Sequence, residues 1–307
     1  MRKIIIILGL FFLTGSCRAL DFPLMRLTKD GHSILLIGSM HIGIMDPSRT
    51  KEINALLKET GSICMEDDAG DIPGAQRVAQ AVFGNPPGQR LRDRLGDALY
   101  DQSKNQLQWY LAKGGAIDDI SPYAVASLLT MNMPAMRDFT LRLTPQQSLD
   151  AAIRSAAVAH GQQLLTIESS DAVPAAFARL TEDEWRYYVA GTLKILHCPE
   201  CAASYSENMI HAYDATTDAE AAQRRAQQAM ASDPRLLAIF EKLFYGERNI
   251  AMVNNIEHDA LAHQKCSVVA IGAGHLGGPL GVVARLRERG VKVEKLTSVD
   301  EAQRGHD

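Results

Sequence analysis

The sequence predicts a mixed α/β fold: a largely parallel central sheet, flanking helices and a large helical insertion. Three observations carry that expectation. Short apolar runs recur along the chain, and helical patterns separate most of them, which is how parallel strands are joined. The stretches from Asp71 to Met136 and from Ser170 to Ala262 read as helices with breaks. The composition, 46% hydrophobic and 22% charged over 307 residues, supports a folded core and excludes disordered or collagenous chains.

The elements follow in order. Met1, Arg2 and Lys3 precede an apolar run from Ile4 to Leu13, which reads as a secretory signal segment over residues 1–19. The run is shorter than the ~20 apolar residues that span a bilayer. Cleavage after Ala19 would leave a soluble periplasmic protein. Alternatively Leu13-Thr14-Gly15-Ser16-Cys17 is a loose lipobox, with a lipid anchor at Cys17 as the sole membrane contact. Residues 20–307 are expected to form one domain.

Phe22 to Leu27 and Ser33 to Ile37 flank Lys29-Asp30-Gly31, a hairpin signal. Asp46-Pro47 suits a helix start, with Ile53, Leu56 and Leu57 as its buried stripe and Gly61 as its stop. Ser62 to Met65 reads as a buried strand running into Glu66, Asp67 and Asp68. Asp97 to Lys113 reads as a helix with Leu99, Leu107, Tyr110 and Leu111 on one side. Thr144-Pro145-Gln146-Gln147 reads as a capping box opening the next helix, closed by Gly161. Leu164 to Ile167 is the next strand and delivers Glu168. Ser267 to Ile271 is an apolar strand ending in Gly272-Ala273-Gly274-His275. Pro279 to Arg289 reads as a helix and Val291 to Leu296 as the last strand.

Four strand ends thus carry His41, Glu66, Glu168 and His275. Loops at the carboxyl ends of parallel strands line the ligand crevice of an open sheet, so the four can converge. Two imidazoles and two carboxylates suit a divalent ion such as Zn, Mn, Co or Fe(II). A carboxylate not needed as a ligand is a general base for an attacking water. The Gly272-Ala273-Gly274 run with Gly277 is a poor dinucleotide fingerprint, because His275 and Pro279 interrupt it.

At these residues the resemblance becomes specific. Gly38-Ser39-Met40-His41 and Gly272-Ala273-Gly274-His275 resemble the paired GxxH motifs of the TraB/GumN family, and the similarity extends over nearly the whole mature chain. Glu66 and Glu168 fit its two acidic positions, the second preceded by a helix containing Asp150. Arg248-Asn249 fits its Arg-Asn pair. That family is similar to the Tiki proteins, metal-dependent proteases that cleave peptides near an N-terminus. It is related in fold to erythromycin-esterase-like and ChaN-like haem-binding proteins. The resemblance implies His41 and His275 as metal-holding histidines and Glu66 and Glu168 as acidic ligands or base. It makes Arg248 a polar site residue able to stabilise an oxyanion.

The expectation is therefore an exported, metal-dependent hydrolase (Mn, Co or Zn) acting on a peptide or protein. The rivals are a non-catalytic metal, haem or peptide binder on the same fold, and a metal-independent esterase-like enzyme. The whole chain carries 32 basic and 36 acidic residues. Loss of Arg2, Lys3 and Arg18 with the signal segment would leave 29 basic residues and a net charge of −7, which speaks against nucleic acid.

Cys198-Pro199-Glu200-Cys201 falls outside the family's shared pattern. A structural disulfide is expected there, within the pair or to Cys64 or Cys266, and Cys64 is expected to be a reduced core residue. His197 and His211 are weak partners for a metal at this pair. His258 and His263 are five residues apart, so they are expected not to share a helix face. Trp109 and Trp185 are read as packing anchors, and Asp67 and Asp68 as solvated loop residues.

Overall fold

The computed structural model describes residues 20, 22–41, 43, 47–67, 71–214 and 218–304. The signal segment with Cys17, and the side chains of Asp46 and Asp68, lie outside the described residues.

Six strands form one sheet: β1 (Leu24–Lys29), β2 (His32–Ser39), β3 (Ile63–Met65), β4 (Leu164–Thr166), β5 (Val268–Gly272) and β6 (Lys292–Leu296). Their order is β4-β3-β5-β2-β1-β6. β1 and β2 are the expected antiparallel hairpin, turning at Asp30 and Gly31, both with positive φ. β1 also pairs antiparallel with β6. The other pairings, β2 with β5, β5 with β3 and β3 with β4, are all parallel. The four strands that end in His41, Glu66, Glu168 and His275 are therefore neighbours pointing the same way.

Alternation along the strands sends side chains to opposite faces. Leu35, Ile37, Ile63, Met65, Val268 and Ala270 pack one core against the Pro47–Leu57 and Leu149–Ala159 helices. Leu27, Leu36, Cys64, Val269 and Ile271 pack the other, against residues of the Gly246–Asn255, Ile256–Ala262 and Val282–Glu288 helices. The insertions after β3 and β4 are helical and build further cores around Leu107 and Val189 and around Trp185 and Phe177. Trp185 is buried there as an anchor, and Trp109 packs at the edge of the first insertion core. Among the described residues, no helix is long and apolar enough to cross a membrane.

Several local expectations are corrected. Thr144 does not cap the helix before β4. Pro145–Gln147 forms a 3-10 turn, and Ser148 is the N-cap, accepting from the Ala151 amide at 3.0 Å. Proline's fixed φ suits the tight turn, and the next serine is free to cap. The helix expected from Pro279 begins only at Val282. A short helix, Val299–Gln303, follows β6 unforeseen. Cys64 is not a lone thiol: it stands at disulfide distance from Cys266, with Cα atoms 5.7 Å apart. Their strands are paired neighbours, so burial and pairing come together. Cys198 and Cys201 form a second such pair, Cα to Cα 5.1 Å. His197 contacts Gln106 at 3.0 Å instead of joining it.

Candidate functional site

Sheet order sets the arrangement of the strand-end residues. Across the carboxyl edge they come as Glu168, Glu66, His275 and His41, the ends of β4, β3, β5 and β2. Neighbouring strands lie about 4.8 Å apart, so the outer two are separated by roughly 14 Å at the backbone. The central pair, Glu66 and His275, is buried.

Glu66 is the hub. Its Oε2 accepts the Gly272 amide at 2.6 Å. Its Oε1 lies 3.5 Å from His275 Nε2 and 3.6 Å from His41 Nε2, and accepts from Arg248 Nη2 at 2.9 Å. Gly272 must be glycine for this approach: a Cβ there would stand 3.1 Å from Glu66 Oε2 and 3.4 Å from the His275 ring. The amide that a dinucleotide phosphate would need is thus taken by a carboxylate.

Both imidazoles are held from behind. His41 Nδ1 donates to Asp150 Oδ2 at 2.6 Å, and His275 Nδ1 donates to Asn249 Oδ1 at 2.7 Å. Asn249 is fully buried and fixed in turn, donating to the Leu280 carbonyl at 2.7 Å. With Nδ1–H committed, each ring in its neutral form presents Nε2 as its lone-pair nitrogen. Tyr245 meets the His275 ring edge-on, centroids 5.9 Å apart. Asp150 enters from the first turn of the Leu149–Ala159 helix, whose start is buried beside Met40.

Glu168 stands apart from the imidazoles. Arg248, from the Gly246–Asn255 helix, reaches its Oε1 through Nε at 2.9 Å and its Oε2 through Nη2 at 2.6 Å. The guanidinium therefore bridges Glu66 and Glu168, one positive charge shared by two buried carboxylates. Asp67 contributes to the cavity wall but is paired with Arg154.

The electrostatics follow. Burial pushes the Glu66 pKa up, but the imidazoles of His275 and then His41 outweigh it and hold it well below the usual carboxylate value. Desolvation pulls the His41 pKa down. Its bonds to Asp150 and Glu66, with their charges, overcome this and hold it well above the ordinary histidine value. Burial works against the Arg248 charge too, and Glu168 followed by Glu66 keeps its pKa raised.

The five residues line one cavity of about 490 Å³. Its remaining wall is largely apolar, with Val78, Val82, Phe83, Tyr123, Phe177 and Phe244. A larger cavity of about 750 Å³, between Gln80, Asn85, Arg94 and Trp185, contains none of the strand-end residues and no comparable cluster of ionisable groups.

All five expected site residues therefore meet in one place, with His41, Glu66 and His275 in direct juxtaposition and Glu168 joined through Arg248. Asp150 and Asn249 were not expected as site residues. The Arg-Asn pair was the one signal for Asn249. Nothing local marks Asp150, since a carboxylate in a helix's first turn is ordinary.

Fold and cluster define a mixed α/β protein with a paired His/Glu centre at the carboxyl ends of parallel strands. The chain belongs to the TraB/PrgY/gumN family, whose sequence profile matches residues 23–295. It has no match among curated proteins or among solved structures.

Proposed function

We propose that the protein is an exported hydrolase that uses a divalent metal ion, and that its substrate is a peptide. The observation that carries this is the pair of second-sphere contacts. Asp150 and Asn249 each occupy an Nδ1 and turn Nε2 toward the same Glu66 oxygen. Histidine ligands are ordinarily oriented in this way.

The 3.5 and 3.6 Å separations are too long for good hydrogen bonds. They match the roughly 3.4 Å between two donors on one tetrahedral ion with bonds of about 2.1 Å. The two Nε2 atoms, however, stand more than 4.8 Å from each other, so the imidazoles would have to close on an ion. The set is open, with Glu66 Oε1 between the two imidazoles. Its chemistry, a carboxylate and two imidazole nitrogens once His41 gives up its proton in favour of the ion, fits Zn, Co or Mn. His41, His275 and Glu66 would hold the ion. The bound ion supplies Lewis acidity toward a carbonyl and makes water a better nucleophile at neutral pH.

The chain's own groups do the rest. Glu168 takes a proton from the attacking water and returns it to the leaving amine. Arg248 places positive charge where the carbonyl oxygen becomes negative. The apolar wall of Phe83, Tyr123, Phe177 and Phe244 excludes water and seats a side chain of the peptide. Export is supported by the cationic and apolar N-terminus, and by two cysteine pairs at disulfide distance, which suit an oxidising compartment.

A second reading rests on Arg248. Its bridge already offsets part of the negative charge of Glu66 and Glu168, and Asp150–His41 forms a carboxylate–imidazole dyad. That dyad could run general acid–base hydrolysis without metal. Metal content separates the two. Mature protein reconstituted with Mn, Co or Zn is expected to lose one ion per chain in His41→Ala/His275→Ala, together with peptide hydrolysis. Hydrolysis that persists in metal-stripped protein favours the dyad.

A further inference from the structure

Residues Ile256–Ala262 form a π-helix, continuing the Gly246–Asn255 α-helix. This geometry is rare, and it changes which side chains meet. In an α-helix, residues five apart point roughly 140° away from each other, at 3.6 residues per turn. Here the His263 amide donates to the His258 carbonyl at 3.1 Å, an i to i+5 bond that brings the two residues onto one face. Their rings lie 4.3 Å apart between centroids, contrary to the expectation from spacing alone.

Both rings have their tautomers fixed. His263 Nδ1 donates to the His258 carbonyl at 2.6 Å. His258 Nδ1 donates to Asp259 Oδ1 at 2.9 Å. Each imidazole therefore presents Nε2 as its lone-pair nitrogen, the same logic that orients His41 and His275. Among the described residues, only His258, Asp259 and His263 each offer one ligand atom, an imidazole nitrogen or a carboxylate oxygen, with all three within 4.8 Å of one another. Both histidines are exposed, and His258 borders a surface cavity of about 550 Å³, so an ion can enter and complete its shell with solvent.

The geometry points to a second, surface metal site at His258, Asp259 and His263, selective for imidazole-preferring divalent ions: Zn²⁺, Cu²⁺ or Ni²⁺. Two imidazoles and one carboxylate match the preferences of these metals, whereas Mg²⁺ and Ca²⁺ prefer oxygen cages. Lys265 Nζ now holds Asp259 Oδ1 at 2.7 Å. It is half-exposed and free to leave, so it competes with the ion for the carboxylate. The site is separate from the strand-end cluster. His263 precedes β5 and His275 follows it, and the five residues of β5 span about 16 Å.

Zn²⁺ equilibrium dialysis tests this on the full mature protein, with His41→Ala/His275→Ala as background so that the strand-end cluster does not contribute. One zinc per chain is expected, and His263→Ala should weaken it at least tenfold. Lys265→Ala should tighten it severalfold, an effect that general loss of structure cannot mimic. Cu²⁺ added to the same background should give an electron paramagnetic resonance spectrum with nitrogen couplings from two imidazoles. Zinc binding unchanged by His258→Ala/His263→Ala, or a copper spectrum without nitrogen coupling, would overturn the site. The reading of the strand-end cluster is judged separately, by the ion lost in His41→Ala/His275→Ala while His258 and His263 are intact.

Discussion

Two imidazole clusters sit at opposite ends of β5 and are built by opposite means. At the carboxyl end, donors arrive from four strands, and Asp150 and Asn249 reach in from two helices. Some sequence separations there exceed a hundred residues, as for His41 with Asp150 and Glu66 with Arg248. At the amino end, three donors come from one six-residue stretch, brought together by a change in helical pitch. The first cluster needs the whole fold and is largely buried within it, with His41 at its exposed edge. The second needs only a local irregularity and sits in solvent. Mutations should therefore separate them: the first is coupled to global stability, the second is not.

The largest expected effect is on the covalent link behind the first cluster. Cys64 and Cys266 are 202 residues apart in sequence. In the chain-entropy picture, closing a loop of that size contributes about 5 kcal/mol, against about 2 kcal/mol for the three-residue separation of Cys198 and Cys201. Urea unfolding of Cys64→Ala/Cys266→Ala should show the greater loss, and Cys198→Ala/Cys201→Ala the smaller.

Next comes Arg248→Ala. It leaves Glu66 and Glu168 buried without their shared counter-charge, at a cost of about 3–5 kcal/mol. Equilibrium unfolding at pH 7 checks the number. Partial recovery on acidification, as the carboxylates protonate, would confirm the cause.

Asp150→Asn should change the first cluster without breaking it. It removes one of the bonds and charges that raise the His41 pKa, so that pKa should fall, as read by imidazole NMR titration. The sign for stability follows. In metal-free wild type, protonated His41 stabilises the fold fully below its unfolded pKa, near 6.5. That contribution is lost as pH rises through the raised folded value. The variant should show a flatter stability profile across this window, and about 10–100-fold weaker metal binding.

The smallest effect belongs to the second cluster. His258→Ala/His263→Ala should leave stability within about 0.5 kcal/mol and peptide hydrolysis within twofold, since both side chains are exposed. A larger change in hydrolysis would mean that the two ends of β5 communicate.

The contrast also explains what could be read from the residues alone. The strands, their parallel pairing and the strand-end positions of His41, Glu66, Glu168 and His275 were legible, because apolar runs and their abrupt polar ends are local. Asp150 was not, because its role depends on the Leu149–Ala159 helix docking beside β2. The bridging of Glu66 and Glu168 by Arg248 was hidden for the same reason. The cap at Ser148 was obscured by the better motif at Thr144. The meeting of His258 and His263 was excluded by a 3.6-residue period that the chain abandons there. The Cys64–Cys266 pairing became visible only once β3 and β5 were known to be neighbours.

The position of β5 has a consequence for how the molecule comes into being. It lies between β2 and β3, yet it is translated more than two hundred residues after them. Until residues beyond 272 emerge, β2 and β3 each keep an open edge and their apolar faces lack a neighbour, the state most exposed to wrong pairing. The nascent chain therefore has no assembled strand-end centre during synthesis. Non-local closure of this kind is slow. Insertion of one five-residue strand closes the sheet, brings Cys266 to Cys64 and delivers His275 to Glu66 in a single event.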